Sequence, residues 1–289
     1  MANETTYTTM TDGFTLTALI ANEQILDALY DLNHVDALTR RIDMAGKPSK
    51  AHDIGFWPRL TSGNVSEGAD MQATPVTSTK VTVTAAERGL MVEPTDVLTL
   101  SSLASLMEFA SNAAEALAEE EMSNVAALST GFSNQVGSTT VDLTEANVIS
   151  AITTLKNNRQ KGTMRGLLYT EQWSDYVQSV GSSFTPAAST GRGAREEMQD
   201  FAFADNGFQK DVWGAEWFHS TGVPTASSGA DSSGMLLAVN RAIAWGVKYR
   251  SRTELDRDGS KRSTEVIVTA FDGVAEIEDQ AGVQILSDR

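Results

Sequence analysis

The stretch Ser101–Gly131, SSLASLMEFASNAAEALAEEEMSNVAALSTG, is the longest uninterrupted helical pattern in the chain, and everything else must fit around it. Leu103, Leu106, Met107, Ala110, Ala113, Ala114, Leu117, Val125 and Leu128 recur every three or four residues, with neither proline nor glycine before Gly131. One face is therefore apolar. Glu108, Glu115, Glu119 and Glu120 fall mostly on the other side, which predicts a helix lying across a sheet or a neighbouring element, with water opposite. Ser101 or Ser102 can cap its start and Gly131 can end it, giving a rod of roughly 43 Å. The acidic run Glu119, Glu120, Glu121 reads as a solvated face.

The 289 residues suffice for a substantial core in one elaborate domain or two subdomains, and 41% hydrophobic residues are those of an ordinary globular chain. Cysteine is absent, which excludes disulfide scaffolds, thiolate nucleophiles, zinc–thiolate sites and iron–sulfur clusters. No run of eighteen apolar residues occurs, and no Lys or Arg precedes Arg40, so neither a membrane span nor a secretory signal is expected. Synthesis in a cytoplasm follows as an expectation. A formal charge of −16 argues against gripping nucleic acid through phosphate neutralisation, although an acidic wall can enclose it.

Along the chain, the Thr-rich residues 1–12 read as an extended arm, followed by a helical pattern over Leu16–Leu38. Ala51–Pro94 is different material. Ile54–Leu60 and Pro75–Thr84 read as two strands joined by the turn-rich SGNVSEGADMQAT, either a long ribbon that is marginal alone and should lean on a partner or an ordinary hairpin on a sheet edge. After the long helix come a short strand (Val136–Val141), a helix (Thr144–Lys161), a strand (Arg165–Thr170) and a second helix (Glu171–Val180). A loop (Gly181–Gly193) and a short helix (Ala194–Ala204) follow, then a strand-like Val212–Val223. Met235–Val239 reads as an apolar strand followed by the segment Ala242–Val247, Val247–Arg252 and Ser263–Ala270 flank a hairpin turn at Asp258-Gly259, and Ala275–Leu286 reads as a terminal strand pair or extended return.

Patterns that could carry chemistry are few. His34, His52 and His219 are widely separated and lack metal-ligand spacing. Gly191-Arg192-Gly193 lacks the third glycine and the preceding strand of a dinucleotide fingerprint. Asp256-Arg257-Asp258-Gly259 with Glu265 resembles part of a calcium loop, but an oxygen ligand is missing and a hairpin tip accounts for it better. Lys80, alone in a Thr/Val strand, reads as protection of an edge. No catalytic, cofactor-binding or metal-binding residue is assigned.

The order of parts (arm, ribbon, dominant helix, α/β segment, returning hairpin) resembles the major capsid protein of tailed bacteriophages, the α+β Hong Kong 97-type fold. The resemblance rests on Ser66–Leu98, on LASLMEFASNAAEALAEEE, on Val212–Pro224 and on Met235–Asp288. It implies an N-terminal arm over 1–52 and an extended loop over 53–93 that overlaps a neighbouring subunit. It further implies a peripheral domain over 94–141 and 243–272 with spine helix 101–131, and an axial domain over 142–242 and 273–289. The resemblance implies no active site and no cofactor: subunits would form pentamers and hexamers that close into an icosahedral shell around double-stranded DNA, in the virion. The chain starts at Met1 without a charged helical extension, so a separate scaffolding protein is an expectation, beside portal and decoration proteins. Covalent cross-linking through Lys80 is not implied.

Two other readings are open. One is an encapsulin-type compartment with the same fold and a protein cargo. The other is an α/β hydrolase using carboxylates such as Glu171, Asp175 or Glu216, which requires two of them to converge in a pocket.

Overall fold

The computed structural model describes residues 34–57, 60, 62–64, 67–68, 70, 75–97, 106–183, 208–226 and 229–288. A short helix α1 (Val35–Leu38) leads into β1 (Arg40–Asp43), β2 (Ala51–Phe56), β3 (Thr79–Thr84) and β4 (Ala86–Val92). The long helix α2 (Leu106–Ala127) ends in a single 3-10 turn that reaches Gly131. Then come β5 (Gln135–Gly137), α3 (Glu145–Asn157), β6 (Met164–Leu168) and α4 (Thr170–Ser183). The rest is strand: β7 (Phe208–Val212), β8 (Ala215–His219), β9 (Thr225–Ala226), β10 (Asp231–Ala238), β11 (Ile243–Asp258), β12 (Ser263–Glu276) and β13 (Gly282–Asp288). The mixture is α+β, as expected from sequence.

Two sheets carry the body. One has the order β1-β11-β12-β4, with β1 parallel to β11 and the other neighbours antiparallel. The other has the order β5-β13-β10-β6-β8-β7, with β9 beside β10. Helix α2 lies on the first sheet: Ala113, Leu117 and Ala118 pack against Val266, Val268 and Ala270. One turn farther on, Met122, Val125 and Ala126 join Leu167, Phe218, Met235, Leu237 and Trp245 in a core that both sheets share. Helix α3 covers the second sheet with Val148, Ala151, Ile152 and Leu155, meeting Leu236, Val283 and Ile285. Its apolar residues recur at three- and four-residue spacing, which is why sequence alone finds it.

The hairpin β11–β12 is the longest feature, with 16 and 14 residues in its strands, so that it spans on the order of 50 Å. Its tip is the expected turn: Asp258 Oδ1 accepts from Ser260 N, Ser260 Oγ and Lys261 N, which together hold the Asp258 carboxyl below its usual range. Asp96 clamps Arg257 with two bonds of 2.5 and 2.6 Å and fastens this end to the segment after β4.

Several expectations change. The first ribbon strand ends at Phe56 rather than Leu60, and the second begins at Thr79 rather than Pro75. The root of the ribbon is buried on its own chain: Ile54 and the fully buried Val83 pack on Ala244 and Ile277. Alternation in a two-residue period gives this root one apolar face, and the first sheet lies close enough to cover it. The approach is possible because Gly273 has no side chain, since a Cβ there would meet the Thr84 carbonyl oxygen. Val212–Val223 is two strands rather than one, folded back at Trp213 and Gly214, both in the left-handed region. The helix expected over Leu16–Leu38 is seen only as Val35–Leu38, the remainder lying outside the described residues. The short helix over Ala194–Ala204 also lies outside them.

Candidate functional site

Where helix α2 crosses the first sheet, four elements bring charged side chains into or toward the interior, and a fifth meets them from the surface. Glu121 is 1% exposed, contrary to the solvated face expected for the 119–121 run. Its spacing from Leu117 and Val125 places it on the apolar stripe, and one turn of helix separates it from each. Arg250 reaches it from β11, with Nη2 3.4 Å from Glu121 Oε2 and Nη1 3.2 Å from Asp36 Oδ2 on α1. The Arg250 guanidinium also lies 5.0 Å from the Trp245 ring centre. Beside it, Asp272 on β12 accepts from Trp245 Nε1 at 2.8 Å and pairs with Arg88 on β4, which also approaches Glu120 at 3.7 Å. The cluster ties α1, α2, β4, β11 and β12 together.

Burial pushes the Glu121 carboxyl from 4.5 up to about 7, with Asp272 reinforcing the rise and Arg250 opposing it. Between pH 4.5 and 7 the unfolded carboxyl ionises while the folded one keeps its proton, so the folded state binds more protons. This group's contribution is therefore full below pH 4.5 and is lost as pH rises through 7, by roughly 3 kcal/mol in all. Glu121→Gln should remove that slope. Denaturant melts should give parent and variant equal stability at pH 5, within about 1 kcal/mol, and a more stable variant at pH 8. Parallel stability curves for the two proteins would refute the assignment.

The carboxylates considered for hydrolysis divide between two elements, Glu216 on β8 and Glu171 and Asp175 one turn apart on α4. Glu216 at the start of β8 pairs with Arg165, whose Nη1 also donates to the Ala37 carbonyl. Glu171 and Asp175 stand on α4, where burial and the charges of Asp142, Glu171 and Asp288 push the Asp175 carboxyl up. The histidines also stand apart: His34 packs against Phe218 with the rings tilted by 34°, His52 lies on β2, and burial lowers the His219 pKa at the end of β8. Glu93, Asp258 and Glu265 do approach within 4.8 Å of one another at the hairpin tip, beyond what the calcium-loop spacing suggested. The Lys261 ammonium is at the same cluster, 3.1 Å from Glu93 and 3.8 Å from Asp258, and supplies positive charge there. Lys80 pairs with Asp53 across the ribbon at 2.6 Å, and this bond with that from Thr82 holds the Asp53 carboxyl low.

The surface features that stand out are apolar. Trp57 beyond the ribbon root is 72% exposed, Leu60 62%, and Val97 before α2 73%. No helix among the described residues is long and apolar enough to cross a membrane.

No family model matches the sequence, and no curated protein matches it. Solved structures do. The chain is similar to a structure from Mycobacterium phage Che8, with 17% identity and a TM-score of 0.64, over 82% of this chain and 84% of that one. It is similar to the head structure of Helicobacter pylori bacteriophage KHP40 over 90% of both chains, with 12% identity and a TM-score of 0.62. A virus-like particle from Pyrococcus furiosus matches over 93% of this chain and 99% of the other, with 9% identity and a TM-score of 0.62. The protein therefore has the α+β fold of phage capsid proteins.

Proposed function

We propose that the chain is the major capsid subunit of a tailed bacteriophage, a structural protein rather than an enzyme. The observation that carries this reading is likeness of fold over nearly the whole length to a phage head structure, the KHP40 one. The ribbon and the exposed Trp57 and Leu60 support it, because they give a subunit of this shape something to lay on its neighbour. In this reading residues 1–52 form the arm and 53–93 the extended loop. The peripheral domain, 94–141 and 243–272, takes in α2, β11 and most of β12, and β1 from the arm and β4 from the extended loop complete its sheet. The axial domain, 142–242 and 273–289, takes in α3, α4 and the seven-stranded sheet except β5, which joins it from 94–141. Copies would gather into pentamers and hexamers, close around double-stranded DNA held without sequence-specific contacts, and meet scaffolding, portal and decoration proteins. Assembly would take place in the host cytoplasm.

The likeness to the Pyrococcus furiosus virus-like particle favours a second reading, a compartment shell with protein cargo. Electron microscopy of the purified protein tests both. Closed particles or capsomers are expected, and a species that stays monomeric at every salt concentration would refute both. The contents separate them: packaged DNA for the virion, protein for the compartment.

A further inference from the structure

The seven-stranded sheet has two ends of opposite charge. Helix α3 lies along β13: Asn158 Nδ2 donates to the Gln280 carbonyl at one end, and Asp288 N donates to the Val141 carbonyl at the other. Thirteen residues of helix and seven of strand both give a separation of roughly 20 Å.

At the first end, Arg40, Arg159, Lys161 and Arg241 line a cavity of about 560 Å³, beside the exposed Trp57. Arg241 lies 4.0 Å from Glu278 and donates to Gln160. Arg40, Arg159 and Lys161 form no ion pair with any described residue. Arg159 is held there in the left-handed region, at φ 55, a conformation that costs a side-chain-bearing residue energy. Leaving Arg40, Arg159 and Lys161 beside one another without an ion pair does nothing evident for the fold of a chain of net charge −16. At the other end stand Asp142, Glu145, Glu171, Asp175 and Asp288, close enough together that burial and mutual repulsion push the Asp175 carboxyl up.

We propose that the basic end of one subunit seats against the acidic end of the next, so that a second copy of this chain covers the Trp57 cavity. This rests on the capsid reading and names its contact. A second copy is the better occupant, because every copy carries the complementary acidic patch in equal number, whereas the net charge of −16 opposes a polyanion with no local patch to offset it. The two patches differ and sit at opposite ends. The contact is therefore heterologous rather than a two-fold dimer, and its repetition generates a ring where the rotation closes, as the capsid reading requires.

Charge reversal tests it. Arg159→Glu with Lys161→Glu, or Asp142→Lys with Glu171→Lys, should each lower the yield of rings and particles about tenfold or more, because like charges then face each other. All four changes in one chain restore opposite signs and should bring the yield back to within a few-fold of the parent. Circular dichroism establishes that each variant is folded, and the fourfold variant decides the matter if a double variant is not. One-sided reversals that assemble like the parent, or a fourfold variant no better than either, would overturn the contact while leaving the capsid reading intact. A parent that never assembles overturns the capsid reading itself. Nucleic acid that copurifies with the parent and is lost on reversal at Arg159 and Lys161, with assembly unchanged, would replace the second copy by a phosphate ligand.

Discussion

Deleting residues 62–74 should leave a folded subunit that forms particles at a yield at least about tenfold below the parent's, since a few central contacts carry most of an association. The root of the ribbon does not depend on the deleted stretch. Ile54 and Val83 bury themselves on Ala244 and Ile277, and Lys80 pairs with Asp53 across the two strands. About nine residues would still join Phe56 to Thr79, enough for an ordinary hairpin connection. Shortening a loop also costs little, so the unfolding free energy should move by less than about 1 kcal/mol. What is lost is reach. Analytical ultracentrifugation and microscopy of the deletion variant would read this directly, and a normal yield of particles would remove the ribbon from the assembly mechanism.

Arg250→Leu should be the most damaging single substitution to the subunit itself, costing about 3–5 kcal/mol at pH 8, the range for breaking a buried ion pair from one side. The leucine can fill much of the space, but it leaves Glu121 buried among Asp36 and Asp272 with its nearest cation gone. At pH 5 the loss should be smaller, because Glu121 then carries a proton and needs no counter-charge. That dependence on pH separates the electrostatic account from a packing defect, which would cost the same at both. Equal losses at pH 5 and pH 8 in denaturant melts would refute it.

Much of this architecture was legible in the sequence because it is local. Helix α2 and helix α3 announce themselves through apolar spacing, and the turn at Asp258-Gly259 through residue type. What stayed hidden depends on distant partners. The strand β4, AERGLMV, is short of strand-forming residues over its first half and is held as a strand by pairing with β12. The parallel pairing of Arg40–Asp43 with Ala244–Val247 joins segments some two hundred residues apart, which no local pattern reports. Arg250 and Ser251 are both buried although adjacent, because irregular register between Val247 and Arg252 breaks the inward–outward alternation of β11. Glu121 is different: its place on the stripe between Leu117 and Val125 was readable, and the neighbouring glutamates masked it. The opposite charges at the ends of the second sheet were likewise invisible, since Arg40, Arg159 and Arg241 come from three separate parts of the chain.

The bare backbone at Gly273 is pressed against Thr84. Together with Ile54 and Val83 it clamps the inner strands to the body. A load applied to the ribbon would therefore pass into the first sheet through backbone contact, without peeling the two strands away from it.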